Sequence, residues 1–142
     1  MQEAREGLVA GMRDAISRNE LSFPYQPIVD LKSGNIVQGE ALMRWQHAAY
    51  GPQSPAVFIP LAEESGLIDS LGNWGIDRAA RFAATLAGRS KTPIPISVNV
   101  SGAQFSTTPV LKQLQYAIAH YGIAADRLIV ELTESVLATR AS

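Results

Sequence analysis

The chain of 142 residues contains no cysteine and only two histidines, and its charges almost cancel. Without cysteine it can form neither a disulfide nor a thiolate metal site, so a reducing, cytoplasmic location is expected. The two histidines, His47 and His120, lack the spacing of paired metal ligands. A formal net charge of −1 provides no basic field for long nucleic acid. It still allows a small anionic ligand that is bound by one or two arginines and metal ions.

Long hydrophobic runs are also missing from the sequence. No apolar stretch reaches the roughly 20 residues that span a bilayer, and the N-terminus lacks the charged-then-apolar order of a signal peptide. Direct membrane insertion is therefore not expected. What the chain does have is a hydrophobic content of 46% over 142 residues, which is enough for one globular domain with a buried core.

Hydrophobic periodicity divides this domain into helices and strands. Apolar residues at helical spacing predict a short amphipathic helix near the N-terminus and further helices later in the chain. Alternating or continuous apolar runs predict four strands. The predicted helices cover 3–18, 57–64, about 69–88 and 108–122, with Gly88 and Gly122 as stops and Leu111 among the inward residues of the last helix. The predicted strands cover 21–29, 36–45, 96–100 and 127–133, with a loop over 47–60.

The order of these elements predicts the fold class. The first two strands are joined by a turn at 30–35, which favours an antiparallel hairpin. Two prolines inside the first strand are typical of an edge or bent strand. The later order of strand, helix, strand, helix, strand favours parallel pairing, so an α/β architecture is expected.

Polar residues on the second strand provide the first indication of a functional site. If 36–45 is one extended strand, Glu40, Leu42 and Arg44 share a face. A carboxylate and a guanidinium on one wall could hold a metal ion at one end and a phosphate group at the other. Taken alone, the same pattern is also typical of a strand that faces solvent.

Two later strands carry polar residues on the face opposite their apolar residues. Asn99 shares a face with Ser97 and Ser101, and Glu131 has the corresponding position on the last strand. The apolar faces must be covered by a layer of helices, so the polar faces are expected on the other side of the sheet. The interior of a barrel would accommodate them. Glu40, Asn99 and Glu131 would then point toward the same end of the barrel. Their side-chain oxygens suit magnesium or manganese better than zinc.

Structural alternatives exist for each of these residues. Asn99 could bond a loop backbone, and Glu131 could pair with Arg127 or with a helix terminus. A serine nucleophile is not expected, because Ser97 and Ser101 have no histidine and aspartate at a suggestive arrangement.

Five segments, in this order, resemble the EAL family of cyclic di-GMP phosphodiesterases. They are YQPI at 25–28, EAL at 40–42 followed by RW at 44–45, FIPLAEESG at 58–66, SVNVS at 97–101 and ELTES at 131–135. Together they extend over nearly the whole chain, whereas the three letters of the EAL motif alone would be weak evidence.

The resemblance implies an α/β fold that is the first half of a TIM-like barrel with an antiparallel first strand. Residues 1–142 would be a partial EAL domain, with a lead-in helix in 1–20 and four barrel strands with their helices in 21–142. It also implies hydrolysis of cyclic di-GMP to linear pGpG at a site that holds two Mg²⁺ or Mn²⁺ ions. The family's later motifs, which include an aspartate pair and a catalytic lysine, belong to segments beyond Ser142.

The resemblance also assigns roles to individual residues. Glu40 and Glu131 match catalytic positions and, together with Asn99, metal ligands. Gln26, Leu42 and Arg44 match substrate-contacting positions, with Arg44 expected at a phosphate oxygen.

The second half of the domain is needed for catalysis, so the 142-residue polypeptide alone is expected to be inactive. Two other functions stay open: a receptor that binds cyclic di-GMP without cleaving it, and a protein-interaction module. An unfinished barrel would leave an open edge at its fourth strand, which predicts self-association through that edge.

Overall fold

The computed structural model describes residues 2–89, 93–107 and 109–133. Within these ranges the chain forms five α-helices, one 3-10 turn and seven strands. The helices are α1 (Gln2–Ala15), α2 (Pro55–Ser65), α3 (Ile68–Arg89), α4 (Gly102–Thr107) and α5 (Val110–Tyr121), and the 3-10 turn is Ala125–Arg127. The strands are β1 (Leu21–Ser22), β2 (Tyr25–Val29), β3 (Ile36–Ala41), β4 (Arg44–His47), β5 (Gly51–Gln53), β6 (Ile96–Ser101) and β7 (Leu128–Thr133).

Four strands form the main sheet, in the order β2-β3-β6-β7. The β2–β3 pair is the predicted antiparallel hairpin, and β3, β6 and β7 pair in parallel, as the helices between them require. The predicted α/β class is therefore confirmed. β2 is an edge strand, in keeping with its proline at position 27, and β7 pairs with β6 alone among the described strands.

One face of this sheet is covered by α3 and α5. Ala41, Val98 and Val100 contribute the apolar side chains of the strands to this layer. The helices supply mostly small residues, which let α3 approach the strands closely. The buried helix residues of this core are Ile76, Ala79, Ala80, Ala83, Val110 and Ala117.

A second, three-stranded sheet of order β1-β4-β5 was not predicted. The two long strands expected at 21–29 and 36–45 are each broken, at Pro24 and after Ala41. Leu42 N–H donates to the Pro24 carbonyl at 2.9 Å, so the two breaks face each other. β4 then pairs with β1, and the predicted loop over 47–60 contains β5 and the start of α2.

The small sheet encloses its own core with α1, α2 and the start of α3. Trp45 lies at its centre, buried, and its indole N–H donates to the Glu20 carboxylate at 3.1 Å. Phe58 packs edge-on against the Trp45 ring. The other buried members of this cluster are Met12, Ala15, Leu21, Leu61, Ala62, Ile68 and Leu71.

The helix ends follow known capping rules. The Ser54 hydroxyl accepts a hydrogen bond from Ala56 N–H and begins α2, while Gly66 and Gly122 adopt the left-handed conformation that ends α2 and α5. α3 continues past Gly88 to Arg89, one residue further than predicted. Position 108, part of the predicted start of α5, lies outside the described residues, as do 134 and 135 of the ELTES segment.

The first turn of α5 differs from the prediction in which residue is buried. Leu111, predicted to face inward, is 66% exposed, and Val110 is buried at 2% instead. The other predicted inward residues of α5 do pack against the core, namely Leu114, Ala117, Ile118 and Tyr121. The short helix α4 was missed because its six residues are too few for a periodic pattern. None of the described helices is long and apolar enough to cross a membrane.

Candidate functional site

The polar residues of the main sheet lie on the face opposite α3 and α5. Gln26 and Glu40 are direct partners across the β2–β3 hairpin, and Glu40 is also the partner of Ser97 on β6. Partners across a ladder point to the same side of the sheet. The apolar neighbour Ala41 points to the other side, into the helix-covered core. Gln26 and Glu40 therefore belong to the uncovered face.

Asn99 and Glu131 belong to the same face, two residues further along the parallel strands. They are direct partners across β6 and β7, and both are exposed. Neighbouring strands lie about 4.8 Å apart and two residues advance about 6.6 Å, so the Cα atoms of Glu40 and Asn99 are roughly 8 Å apart. Long side chains on such backbones can meet at one ion. The structure thus places Glu40, Asn99 and Glu131 on one face of three adjacent strands.

This donor set suits a hard divalent cation. Carboxylate and carboxamide oxygens are the ligands that Mg²⁺ and Mn²⁺ prefer. Among the described residues no group of three His, Cys, Asp or Glu side chains comes together, so the two carboxylates and the Asn99 amide are a small ligand set. Mg²⁺ commonly keeps several waters and takes ligands from the substrate phosphate, which is compatible with so few protein ligands.

The alternatives considered for Asn99 and Glu131 find no support in the described part of the chain. Within 2–89, 93–107 and 109–133, neither side chain takes part in a hydrogen bond or an ion pair, so Glu131 is not paired with Arg127. Both side chains remain available for a ligand.

Leu42 and Arg44 do not lie on the same strand face as Glu40, contrary to the prediction of one continuous strand over 36–45. β3 ends at Ala41, and Arg44 begins β4 in the other sheet, where it pairs with Ser22. The alternation of side chains therefore does not continue from Glu40 to Arg44. The break at Leu42 and Met43, tied down by the Leu42 bond to Pro24, is the physical reason.

A cavity of about 180 Å³ nevertheless brings Leu42 and Arg44 beside Asn99. It lies at the ends of β3 and β6, and α3 forms one wall through Gly72 and Gly75. Most of its lining is apolar. The remaining residues of the lining are Phe23, Ala41, Met43, Pro55, Ile59 and Val98. Sequence reasoning missed these residues because apolar side chains at such positions are read as core.

Arg44 is exposed at the rim of this cavity. One of its terminal N–H groups donates to the Met43 carbonyl at 3.2 Å, which fixes the direction of the guanidinium. A guanidinium carries five N–H donors in a planar fork, so donors remain for an anionic group. A polar rim above an apolar pocket suits a ligand that has a phosphate beside a flat ring.

Two further polar groups have unusual surroundings. The Ser97 hydroxyl, on the same face as Glu40, has no hydrogen-bond partner among the described residues. Within the FIPLAEESG segment, partial burial raises the pKa of the Glu63 carboxyl above its ordinary value.

Comparison with known proteins shows that residues 10–142 match the EAL domain. The chain is 36% identical over 137 residues to the oxygen sensor protein DosP of Escherichia coli, covering 96% of this chain and 17% of DosP. It is 34% identical over 128 residues to MucR of Pseudomonas aeruginosa, a bifunctional diguanylate cyclase and cyclic di-GMP phosphodiesterase, covering 90% of this chain and 19% of MucR.

Solved structures agree with the sequence comparison. The phosphodiesterase PaMucR in complex with cyclic di-GMP superposes with a TM-score of 0.85 at 33% identity, covering 95% of this chain and 55% of that one. The EAL enzyme Bd1971 in its form with bound cAMP gives 0.82 at 27%, covering 96% and 39%. The chain thus spans less than a fifth of these curated relatives and about half of the PaMucR structure. A family match over residues 10–142, a shared fold and the motif residues on one sheet face together show that the chain belongs to the EAL-domain family.

Proposed function

We propose that this chain forms the metal-binding and phosphate-binding part of a cyclic di-GMP phosphodiesterase that yields linear pGpG. The observation that carries the proposal is the common face of Glu40, Asn99 and Glu131 on three adjacent strands. The relatives support it, because MucR is a cyclic di-GMP phosphodiesterase and PaMucR binds that nucleotide.

The proposed architecture is the first half of a TIM-like barrel, with β2 as its antiparallel strand. The uncovered polar face of the main sheet would then be the barrel interior, and β7 would pair with the next strand. In such barrels catalytic groups come from the C-terminal ends of several strands. Glu40, Asn99 and Glu131 are each in the later half of their strands.

Each named side chain has a part in this mechanism. Glu40, Asn99 and Glu131 would hold Mg²⁺ or Mn²⁺, and bound ions of this kind polarise a phosphate and lower the pKa of an attacking water. Arg44 donates charge-assisted hydrogen bonds to a phosphate oxygen. Gln26, beside Glu40 at the sheet edge, offers an amide to the substrate, and Leu42 with the apolar cavity excludes water from one side of it.

The test is a hydrolysis assay on the protein that carries this chain, with cyclic di-GMP and either Mg²⁺ or Mn²⁺, followed by chromatography of the products. Conversion to pGpG that Glu40→Gln abolishes supports the proposal. Gln38→Ala is the matched control, since Gln38 lies two residues earlier on β3 and its loss should leave hydrolysis intact.

Two other results would contradict the enzymatic proposal in different ways. Tight binding of cyclic di-GMP without product would identify a receptor. Neither binding nor product, in a protein that is folded by circular dichroism, would favour an interaction module.

A further inference from the structure

Gln104 is a polar residue in the interior whose position the proposed chemistry does not explain. It is only 1% exposed and lies in α4, directly after β6. Its backbone N–H donates to the Ser101 hydroxyl at 3.0 Å, which joins the start of α4 to the end of β6. Among the described residues its side-chain nitrogen has no hydrogen-bond acceptor. Buried amides are almost always paired, so this one calls for an explanation.

The Gln104 carboxamide rests against Gly72 of α3. A Cβ atom at position 72 would overlap its nitrogen, its carbon and its oxygen. The contact is therefore possible only because residue 72 has no side chain. Gly72 has an ordinary helical conformation, so the space required by Gln104, and not the backbone angle, is what demands a glycine here.

The same glycine lines the cavity that holds Leu42, Arg44 and Asn99. One side of Gly72 thus touches Gln104, and the residue also forms part of the cavity wall. Asn99 lies two residues before Ser101, the residue that Gln104 bonds through its backbone. The Gln104–Gly72 contact therefore sets how far α3 stands from the end of β6, at the level of the cavity.

We infer that Gln104 and Gly72 are a positioning pair that fixes the width of this cavity and so the affinity for the nucleotide. The inference rests on the proposed cyclic di-GMP site. Neither residue needs to touch the ligand. They act by holding α3, which forms one wall of the cavity, at a fixed distance from β6, which carries Asn99.

The pair predicts a specific pattern in a double-mutant cycle. Gly72→Ala forces α3 away from Gln104, and Gln104→Ala removes the side chain that separates α3 from β6. In the protein that carries this chain, each should raise the dissociation constant for cyclic di-GMP by about tenfold, or about 1.4 kcal/mol. The double variant removes the overlap and should bind within about threefold of the wild type, because contacting residues are not additive.

Gly88→Ala is the matched control for the helix itself. It is the same substitution in the same helix, and a Cβ at position 88 would meet open space. Alanine is the better helix former, so this variant should be at least as stable as the wild type and bind equally well. Thermal unfolding, measured beside each titration, separates a change of fold from a change of cavity.

The outcomes distinguish this inference from the proposed function. If the wild type does not bind cyclic di-GMP, the proposed function fails and the inference fails with it. If the wild type binds, and folded Gly72→Ala binds as tightly or the double variant is as weak as the singles, only the positioning pair is overturned. If Gly72→Ala does not fold, a double variant that folds and binds supports the pair, and one that does neither overturns it.

Discussion

Asn99 and Glu131 are direct partners across the parallel β6–β7 pair, so an amide and a carboxylate lie side by side on the uncovered face of the sheet. Parallel register keeps them at the same height along the two strands. Because neither side chain is engaged elsewhere in the described chain, their geometry is set by the backbone alone. Glu40 lies one strand further and two residues lower, so any shared ion must sit between these two levels.

The first prediction concerns the charge of this donor set. Glu131→Gln keeps the size of the side chain and removes its charge, and cation affinity in oxygen sites depends strongly on the number of charged ligands. The Mg²⁺ concentration for half-maximal activity should rise by about tenfold or more, as measured by metal titration of the hydrolysis rate.

Asp126→Asn is the control for that experiment. Asp126 is exposed in the 3-10 turn before β7. Its substitution removes one negative charge, as Glu131→Gln does, but at a position outside the uncovered face of the sheet. An equal shift in both variants would point to a general electrostatic effect and would contradict a metal site at Glu131.

A second prediction concerns Arg44. Arg44→Lys keeps the positive charge and loses the planar fork that binds a phosphate through two bonds. KM for cyclic di-GMP should rise by about tenfold, in line with the strength of charge-assisted hydrogen bonds. Arg18→Lys is the control, because Arg18 pairs with Asp14 at the surface and does not line the cavity. An unchanged KM in Arg44→Lys would remove Arg44 from the binding site.

The main sheet could be predicted from the sequence because its signals are local. Alternation of polar and apolar residues located β6 and β7, and their connection by a helix required parallel pairing. The same alternation placed Asn99 and Glu131 on the face away from the helices, because successive side chains of a strand point to opposite faces of the sheet.

The break after Ala41 could not be predicted in the same way. Residues 36–45 contain no proline, and nothing local stops the strand. It ends because Leu42 bonds the Pro24 carbonyl from the first strand and because Arg44 finds a new partner in Ser22. Both contacts are with residues about 20 positions earlier. The cavity could not be predicted from local sequence either, because residues of β3, α2, α3 and β6 line it together.

A third prediction uses the one tyrosine of the core whose ionisation is strongly shifted. Burial raises the pKa of Tyr25 from its ordinary value of 10.0 to about 12, against a smaller opposing effect of the Arg78 charge. Its hydroxyl donates to the Arg78 carbonyl at 3.1 Å, and its ring stacks on Phe82. Folded Tyr25 keeps its proton in a pH range where an unfolded tyrosine has lost it.

The sign of the effect on stability follows from that difference. Between pH 10.0 and about 12 unfolding releases a proton from Tyr25, so rising pH must lower the free energy of unfolding. Tyr25→Phe should be less stable at neutral pH, through loss of the hydrogen bond, but should lose less stability over this range. Urea denaturation at several pH values measures both, and equal pH dependence in the two proteins would contradict the prediction.

The last prediction concerns the open edge of β7. Among the described strands β7 pairs with β6 only, and Leu132 on it is 57% exposed. An unpaired edge offers a row of backbone donors and acceptors to another strand, and an exposed apolar side chain favours the same contact. A polypeptide of these 142 residues should therefore form dimers or larger assemblies at high micromolar concentration, as measured by sedimentation velocity.

A charged residue at that edge should reverse the association. Leu132→Lys places a cation where a second strand would dock, which is how natural edge strands avoid pairing, so it should shift the polypeptide toward monomer. Leu31→Lys makes the same substitution in the turn between β2 and β3, at a leucine that is 97% exposed and remote from β7, and should leave association unchanged. A stable monomer in the wild type would show that the edge is protected. Assemblies that persist in Leu132→Lys would instead mean that another surface holds the copies together.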